Sequence, residues 1–132
     1  MDGQNCSLIM VKPDAIERKL GSEVKGLVNR SDLRIIRKVN LSLDMELVKA
    51  LYQWPVVNHF EALQEYLCTS EVEIWLVEGD NAIEKCLQIK NTIRANHQID
   101  RLHTLLHCPD TEEDFTREYD IFFRGEQLPG LP

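Results

Sequence analysis

The chain has 132 residues, of which 43% are hydrophobic and 28% are charged, and its formal net charge at pH 7 is −7. This length and composition predict one folded domain with a sizeable hydrophobic core, and they exclude a chain that is disordered by composition. Because the net charge is negative and the lysine and arginine residues are dispersed, the sequence argues against a protein that binds nucleic acid.

The sequence also lacks the signatures of membrane and zinc proteins. No apolar run approaches the length of a transmembrane span, and the N-terminal residues lack the basic and apolar regions of a secretory signal. The four cysteines are widely scattered, with no close pair of the kind that binds zinc. We therefore expect a cytoplasmic protein that binds neither membrane nor nucleic acid.

Hydrophobic periodicity predicts four strands that alternate with helices. Pro13 favours the start of the first helix, Asp44 is a candidate N-cap, and Pro55 separates the two helices of a hairpin. In chain order the predicted elements are a strand over residues 7–11, a helix over 13–28, a strand over 33–43, helices over 45–53 and 58–67, a strand over 71–77, a helix over 81–90, a strand over 102–106 and a helix over 111–123.

This order of elements is typical of an α+β fold in which helices cover one layer of sheet, as in ferredoxin-like proteins. A doubly wound parallel sheet is less consistent with the pattern, because the second strand follows its helix without a glycine-rich turn. The alternation of apolar and polar residues in the third strand places Trp75 on the more polar face. We expect one domain over residues 1–123 and a flexible tail over residues 124–132, where proline and glycine interrupt any periodicity.

Candidate catalytic groups occur where the fourth strand passes into the last helix. Pro109 ends the strand, which leaves His107 at its C-terminal end, and Asp110 is a candidate N-cap for the helix. Glu118 lies on the apolar stripe of that helix and therefore needs a polar partner. A carboxylate that binds one ring nitrogen of His107 leaves the other nitrogen free to act as a base or nucleophile. A structural core histidine is the alternative that these residues leave open.

Four motifs occur in order along the chain. They are SLIMVKPDAIER at residues 7–18, VEGDNA at 77–82, TIR at 92–94 and LHCPD at 106–110. In this order they resemble the opening, the central strand-to-helix turn, the T-I-R segment and the I-H-G-S-D active-site motif of the nucleoside diphosphate kinases. The resemblance extends from about residue 7 to residue 123, and it implies a ferredoxin-like βαββαβ fold with a four-stranded antiparallel sheet.

The resemblance also implies a reaction and a set of site residues. A nucleoside triphosphate would give its terminal phosphoryl group to a histidine, and the phosphohistidine would pass it to a nucleoside diphosphate, with Mg²⁺ bound through the nucleotide phosphates. By motif position, His107 would be the nucleophile and Glu118 would orient its ring. Lys12, at the end of the first strand, would contact the transferred group. The other nucleotide-binding candidates are Tyr52, which would support the lysine, Phe60, which matches the base-stacking phenylalanine, Arg94, which would hold phosphate, and Thr104, which replaces an asparagine.

Several positions depart from the family pattern. Leu87 aligns with an arginine, and residues 89–91 are nearly all that remains of a long loop with a phosphate-binding threonine. Residues 95–97 replace a G-D-F segment, and Pro109 replaces a serine. Each lost contact between a charged group and phosphate costs on the order of 1.5–3 kcal/mol, so the departures imply attenuated phosphoryl transfer. The alternative is a weak or inactive binding or scaffold module of a larger ciliary or flagellar protein, with protein partners and a ciliary location.

The shortened loop also bears on assembly. In the family this loop builds the contacts of trimers and hexamers, and residues 89–91 are too few to replace it. The resemblance therefore implies a monomer or a homodimer rather than a hexamer.

Overall fold

The computed structural model of the protein describes residues 5–52, 60–68, 70–100 and 102–123. The predicted helix break at Pro55 and the predicted flexible tail over residues 124–132 lie outside the described residues. In chain order the described elements are β1 (Cys6–Val11), α1 (Pro13–Glu17), α2 (Gly21–Arg30), β2 (Arg34–Leu41), α3 (Met45–Tyr52), α4 (Phe60–Leu67), β3 (Val72–Glu78), α5 (Ala82–His97), β4 (Leu106–His107) and α6 (Glu112–Phe123).

The four strands form one antiparallel sheet in the order β2-β3-β1-β4. β1 lies between β3 and the short edge strand β4, where Met10 pairs with His107 and Val11 pairs with Leu106. The predicted α+β fold, a ferredoxin-like arrangement with a four-stranded antiparallel sheet covered by helices, is confirmed. Because β1 ends beside β4, Lys12 lies next to the segment that carries His107.

Helices cover both faces of the sheet, so successive residues of the inner strands enter two different hydrophobic clusters. This two-sided burial explains why β1 is a continuous apolar run. The first cluster joins the sheet to α3 and α6 and includes Leu8, Met10, Ile74, Leu76, Val48, Leu51, Phe115 and Phe122. The second joins it to α2 and α5 and includes Ile9, Val11, Trp75, Val77, Val24, Val28, Cys86 and Ile93.

Trp75 lies on the same face of β3 as Glu73, the more polar face as predicted, but the prediction missed that this face is buried. Trp75 is 2% exposed and packs in the second cluster. The alternation along β3 is present, but α2 and α5 cover the face that carries Trp75. Two polar groups of the described residues contact this side chain. Glu73 accepts the indole N–H at 2.9 Å, and the Lys38 ammonium lies over the ring, 4.2 Å from its centroid.

Two predicted helix boundaries are also wrong. The first predicted helix is two helices, because Lys19 adopts a left-handed φ of 59° between α1 and α2. α5 continues past residue 90, its predicted end, to His97, so residues 92–94 are helical rather than a connection to β4. Among the residues described, none of the helices has both the length and the apolar character needed to cross a membrane.

Of the two predicted N-caps, one is confirmed and one is wrong, and the predicted fourth strand is too long. Asp44 accepts the Leu47 N–H at 2.9 Å, so this predicted N-cap is confirmed. The cap of α6 is Thr111 rather than Asp110, because the Thr111 hydroxyl accepts an N–H from the first turn at 3.0 Å. The predicted strand over residues 102–106 is wrong in extent, because Leu105 has a φ of 71° and only the two residues of β4 pair with β1.

Candidate active site

The candidate active site lies at the edge of the sheet where β1 ends beside β4. The Lys12 N–H donates to the Leu105 carbonyl at 3.0 Å, which ties the end of β1 to the residue before β4. Leu106 and Cys108 enter the cluster under α5, so the His107 side chain between them turns to the opposite face, towards α6. The surroundings of His107 are therefore built from five elements, β1, β4, α3, α5 and α6.

His107 is paired with a buried acid. Its Nε2 lies 2.9 Å from Glu118 Oε1, and Glu118 is 2% exposed on the buried stripe of α6. A neutral imidazole that donates its Nε2 hydrogen to this carboxylate carries its lone pair on Nδ1. No hydrogen bond to Nδ1 occurs within the described residues, and the His107 side chain is 18% exposed. The predicted pairing of His107 with Glu118 is therefore present, and it leaves a reachable nitrogen.

Arg117 holds Glu118 from the other side. Its Nη2 lies 3.6 Å from Glu118 Oε2, and its Nη1 donates to the Ala50 carbonyl at 2.6 Å. The carbonyl belongs to α3, so the arginine ties the middle of α6 to the end of α3. The Glu118 carboxylate is thus neutralised on one oxygen while its other oxygen orients the imidazole.

Tyr52, at the end of α3, lies between His107 and Lys12. The Tyr52 and His107 ring centroids are 5.2 Å apart at an interplanar angle of 59°, and the Lys12 ammonium is 5.7 Å from the Tyr52 centroid. The Tyr52 hydroxyl is buried and has no hydrogen-bond partner in the part of the chain described. Burial raises the pKa of Tyr52 above its ordinary value, so the phenol stays protonated and can donate to a ligand.

Lys12 is a buried lysine that forms no ion pair with the described acidic side chains. The residue is 2% exposed, and its ammonium donates to the Thr104 hydroxyl at 2.5 Å. No carboxylate among the described side chains lies within ion-pair distance of it. Burial, followed by repulsion from Arg94, lowers the pKa of Lys12 from 10.5 to about 7. A negatively charged ligand would supply the missing counter-charge.

Arg94 reaches the same segment from α5. Its Nε donates to the Thr104 carbonyl at 3.0 Å and its Nη2 to the Leu106 carbonyl at 2.8 Å. These bonds tie α5 to the backbone on both sides of Leu105. They also occupy two of the three guanidinium nitrogens, and Nη1 has no partner within the residues described.

Asp14 fixes the backbone that precedes His107. Its carboxylate accepts the Leu105 N–H at 3.1 Å and also the Tyr66 hydroxyl hydrogen, while the Asp14 N–H donates to the Tyr66 oxygen at 3.1 Å. Asp14 is 8% exposed and belongs to the first turn of α1. The carboxylate thereby holds Leu105 in its left-handed conformation and links α1, α4 and β4.

Comparison with known proteins assigns the chain to a family. The sequence model of the nucleoside diphosphate kinase family matches residues 5–128. The chain belongs to the nucleoside diphosphate kinase family. It is 29% identical over 135 residues to the nucleoside diphosphate kinase of Ignicoccus hospitalis, with 91% of this chain and 89% of that protein covered. It is 28% identical over 133 residues to the nucleoside diphosphate kinase of Metallosphaera sedula, with 92% and 95% covered.

Solved structures of nucleoside diphosphate kinases share the fold. The enzyme of Encephalitozoon cuniculi superposes with a TM-score of 0.85 at 19% identity, and the alignment covers 97% of this chain and 94% of that one. A nucleoside diphosphate kinase family protein of Babesia bovis gives a TM-score of 0.83 at 24% identity, with the same coverage. At these identities the likeness establishes the fold alone. Membership of the family supports a nucleotide-binding transferase, and the named relatives do not favour the ciliary or flagellar scaffold alternative.

Most of the side chains that the resemblance to nucleoside diphosphate kinases singles out come together around the histidine. The exception is Phe60, which begins α4 and whose side chain lies outside the described part of the chain. Asp14 and Tyr66 also belong to this arrangement and were not among the predicted site residues. The only available signal for Asp14 was its place directly after Pro13 at the start of a helix, and Tyr66 had none. The residues that come together are Lys12, Tyr52, Arg94, Thr104, His107 and Glu118.

Proposed function

We propose that this protein transfers the terminal phosphoryl group of a nucleoside triphosphate to His107 and from there to a nucleoside diphosphate. The observation that carries the proposal is the histidine itself. Its Nε2 lies 2.9 Å from a buried carboxylate, and its Nδ1 makes no hydrogen bond to the described residues. Membership of the nucleoside diphosphate kinase family supports nucleotides as the substrates.

In the first step the Nδ1 lone pair of His107 attacks the terminal phosphorus. The bond between that phosphorus and the bridging oxygen breaks, and the nucleoside diphosphate leaves with the bond's electron pair. The imidazole keeps its Nε2 proton and gains positive character, which the Glu118 carboxylate stabilises. In the second step a terminal phosphate oxygen of another nucleoside diphosphate attacks the same phosphorus. The bond between that phosphorus and Nδ1 breaks, its electron pair returns to Nδ1, and the neutral imidazole is restored.

The cations of the site suit the charge of the transferred group. Phosphoryl transfer depends mainly on positioning and on positive charge around the phosphate oxygens. The Lys12 ammonium would neutralise the moving group, and Arg94 would bind phosphate through its remaining nitrogen. Thr104 would keep the lysine in place, Tyr52 would donate its unpaired hydroxyl to the nucleotide, and Phe60 is the candidate for stacking on the base.

Mg²⁺ would enter the site bound to the nucleotide phosphates. No group of three or more histidine, cysteine, aspartate or glutamate side chains in the described part of the chain could hold a metal ion. The charged side chains around His107 include two cations, Lys12 and Arg94, which bind phosphate oxygens rather than a bare metal. Magnesium on the phosphates would supply additional positive charge during transfer.

The transfer is attenuated in this proposal. The position of Leu87 offers no charge to a phosphate, and residues 89–91 lie within the continuous helix α5 rather than in a phosphate-binding loop. Each missing charged contact lowers phosphate binding about tenfold or more. We therefore expect a slow enzyme that needs a high nucleotide concentration.

The test is formation of GTP from ATP and GDP in the presence of Mg²⁺. We expect the wild-type chain to make GTP and His107→Ala to fall about 1000-fold, to the level of a protein-free blank. The matched control is His97→Ala, because the His97 ring pairs with Glu23 of α2 at 3.0 Å and, among the described residues, makes no hydrogen bond to the site. Undiminished transfer by His107→Ala, or no transfer by a wild-type chain that binds ATP, would overturn the proposal.

A further inference from the structure

Lys90 lies on the side of α5 that faces the segment around β4. Four residues before it, the Cys86 carbonyl accepts the Cys108 thiol hydrogen at 3.5 Å. Four residues after it, Arg94 donates to two carbonyls of the same segment. Residues four apart on a helix lie on the same side, so Lys90 is placed between these two contacts, alongside the backbone that carries His107.

The Lys90 ammonium has no counter-ion among the residues that the structure describes. The side chain is half-buried, and neither a hydrogen bond nor an ion pair to it occurs among the described residues. Its charge nevertheless acts on the site, because repulsion from Lys90 contributes to the lowered pKa of Lys12, after burial and the larger repulsion from Arg94. β4 is the edge strand of the sheet, so a side chain from α5 can reach the active-site side around this edge.

Three cations, Lys12, Arg94 and Lys90, therefore lie around one site. Asp14 attracts Lys12 and Arg94, and Asp110 attracts Arg94, so two acids offset part of their charge. Asp14 is the acid whose attraction for Lys12 opposes the two repulsions, and its carboxylate is already bound to Leu105 and Tyr66. Arg94 has two of its three nitrogens committed to backbone carbonyls. Like charges that are only partly offset destabilise the free protein, and an anion bound between them removes that cost.

We propose that Lys90 binds a phosphate group of the nucleotide, as a third cation beside Lys12 and Arg94. This inference rests on the proposed function for the identity of the ligand. An ammonium on a flexible stem suits a phosphate oxygen, because it binds as a point charge and needs no fixed geometry. Lys90 would make no contact with the base or the sugar. Its contribution to the binding free energy should therefore grow with the number of phosphates.

The experiment compares Lys90→Gln with Lys85→Gln in the full chain. Lys85 lies on the same helix, about 140° around its axis from Lys90, so it gives the same change in charge on another side. Dissociation constants for ATP, AMP and adenosine are measured by calorimetry at fixed salt. We expect Lys90→Gln to weaken ATP binding about tenfold or more, to weaken AMP less and to leave adenosine unchanged, and Lys85→Gln to stay within about twofold of wild type.

Two further readouts separate a phosphate contact from a structural role. The ligand-free melting temperature of Lys90→Gln should equal or exceed that of wild type, because the substitution removes a repulsion, and Lys90→Arg should restore ATP binding. Equal ATP affinity of Lys90→Gln and wild type would overturn the inference, as would an equal loss for adenosine. If wild type binds ATP without transferring phosphate, the function proposed for His107 fails while the Lys90 comparison still decides this inference. Absence of ATP binding by wild type would overturn both.

Discussion

The charge of Lys12 depends on the fold. Burial and the neighbouring Arg94 bring its pKa from 10.5 to about 7. An unfolded chain keeps the lysine protonated up to its ordinary pKa, so between about pH 7 and 10.5 the unfolded state binds more protons than the folded state. The contribution of Lys12 to the free energy of unfolding therefore rises with pH across this window.

The lowered pKa of Lys12 predicts that nucleotide binding takes up a proton. At about pH 8 most Lys12 side chains are neutral in the free protein, and nearby phosphates would raise the pKa and restore the charge. Calorimetry of ATP binding in buffers of different ionisation enthalpy should therefore show an uptake that approaches one proton per site. Lys12→Met should lose most of this uptake. The same uptake in Lys12→Met and wild type would show that another group is responsible.

The site residues differ in how far the sequence could predict their surroundings. The contact between Glu118 and His107 could be predicted, because helical spacing alone put an acid on the buried stripe of α6 next to the strand that ends at the histidine. The burial of Lys12 could not, since a lysine at a strand end is normally solvated. That burial depends on Thr104 and Tyr52, which are distant in sequence and reach Lys12 only through the tertiary fold.

At the scale of elements, β4 is short and is held largely by other elements. Only two of its residues pair with β1, and the preceding Leu105 has a left-handed φ of 71°. Asp14 of α1 accepts the Leu105 N–H, and Tyr66 of α4 donates to the same carboxylate. The orientation of His107 therefore depends on α1 and α4 as well as on the sheet.

This dependence predicts that Asp14→Ala destabilises the protein. The substitution leaves the buried Leu105 N–H without an acceptor, which should lower the free energy of unfolding by about 2–3 kcal/mol. Tyr66→Phe keeps that acceptor and should cost about 1 kcal/mol. Urea unfolding followed by fluorescence measures both values. Glu17→Ala, an exposed acid of the same helix, is the control and should shift the midpoint little. Equal midpoints for Asp14→Ala and Glu17→Ala would contradict this account of β4.

The ends of helices were less predictable than their existence. α5 extends to His97 because the sequence offers no glycine or proline between Gly79 and Pro109, so no stop signal ends the helix at residue 90. The break between α1 and α2 occurs at Lys19, in a left-handed conformation that glycine adopts more readily. Periodicity therefore identified which segments are helical, while the ends depended on local backbone conformations that periodicity does not report.

At the scale of the whole molecule, the strand order and the two-sided core follow from the order of elements, but assembly does not. We propose a monomer or a homodimer rather than a hexamer. Residues 89–91 lie inside α5, so this part of the chain presents a helix surface where a long loop would be needed to bridge subunits. The proposed domain over residues 1–123 would thus carry the site within one chain.

Sedimentation velocity tests this proposal for assembly. We expect one species with the mass of one or two chains over a wide range of protein concentration, and transfer activity per chain that does not change on dilution. Magnesium and ATP should not alter the mass, because the described site residues all belong to one chain. A species with the mass of six chains would contradict the proposal.

The central claim is that Glu118 holds Nε2 of His107 and leaves Nδ1 to receive the phosphoryl group. The most direct measurement is the position of phosphate on the protein after incubation with ATP and Mg²⁺, determined by mass spectrometry of the peptide that contains His107 and by phosphorus NMR, which distinguishes the two ring nitrogens. The account predicts phosphate on Nδ1 of His107 and its disappearance when GDP is added. Phosphate on Nε2, phosphate on another residue, or no phosphate on a chain that binds ATP would contradict it.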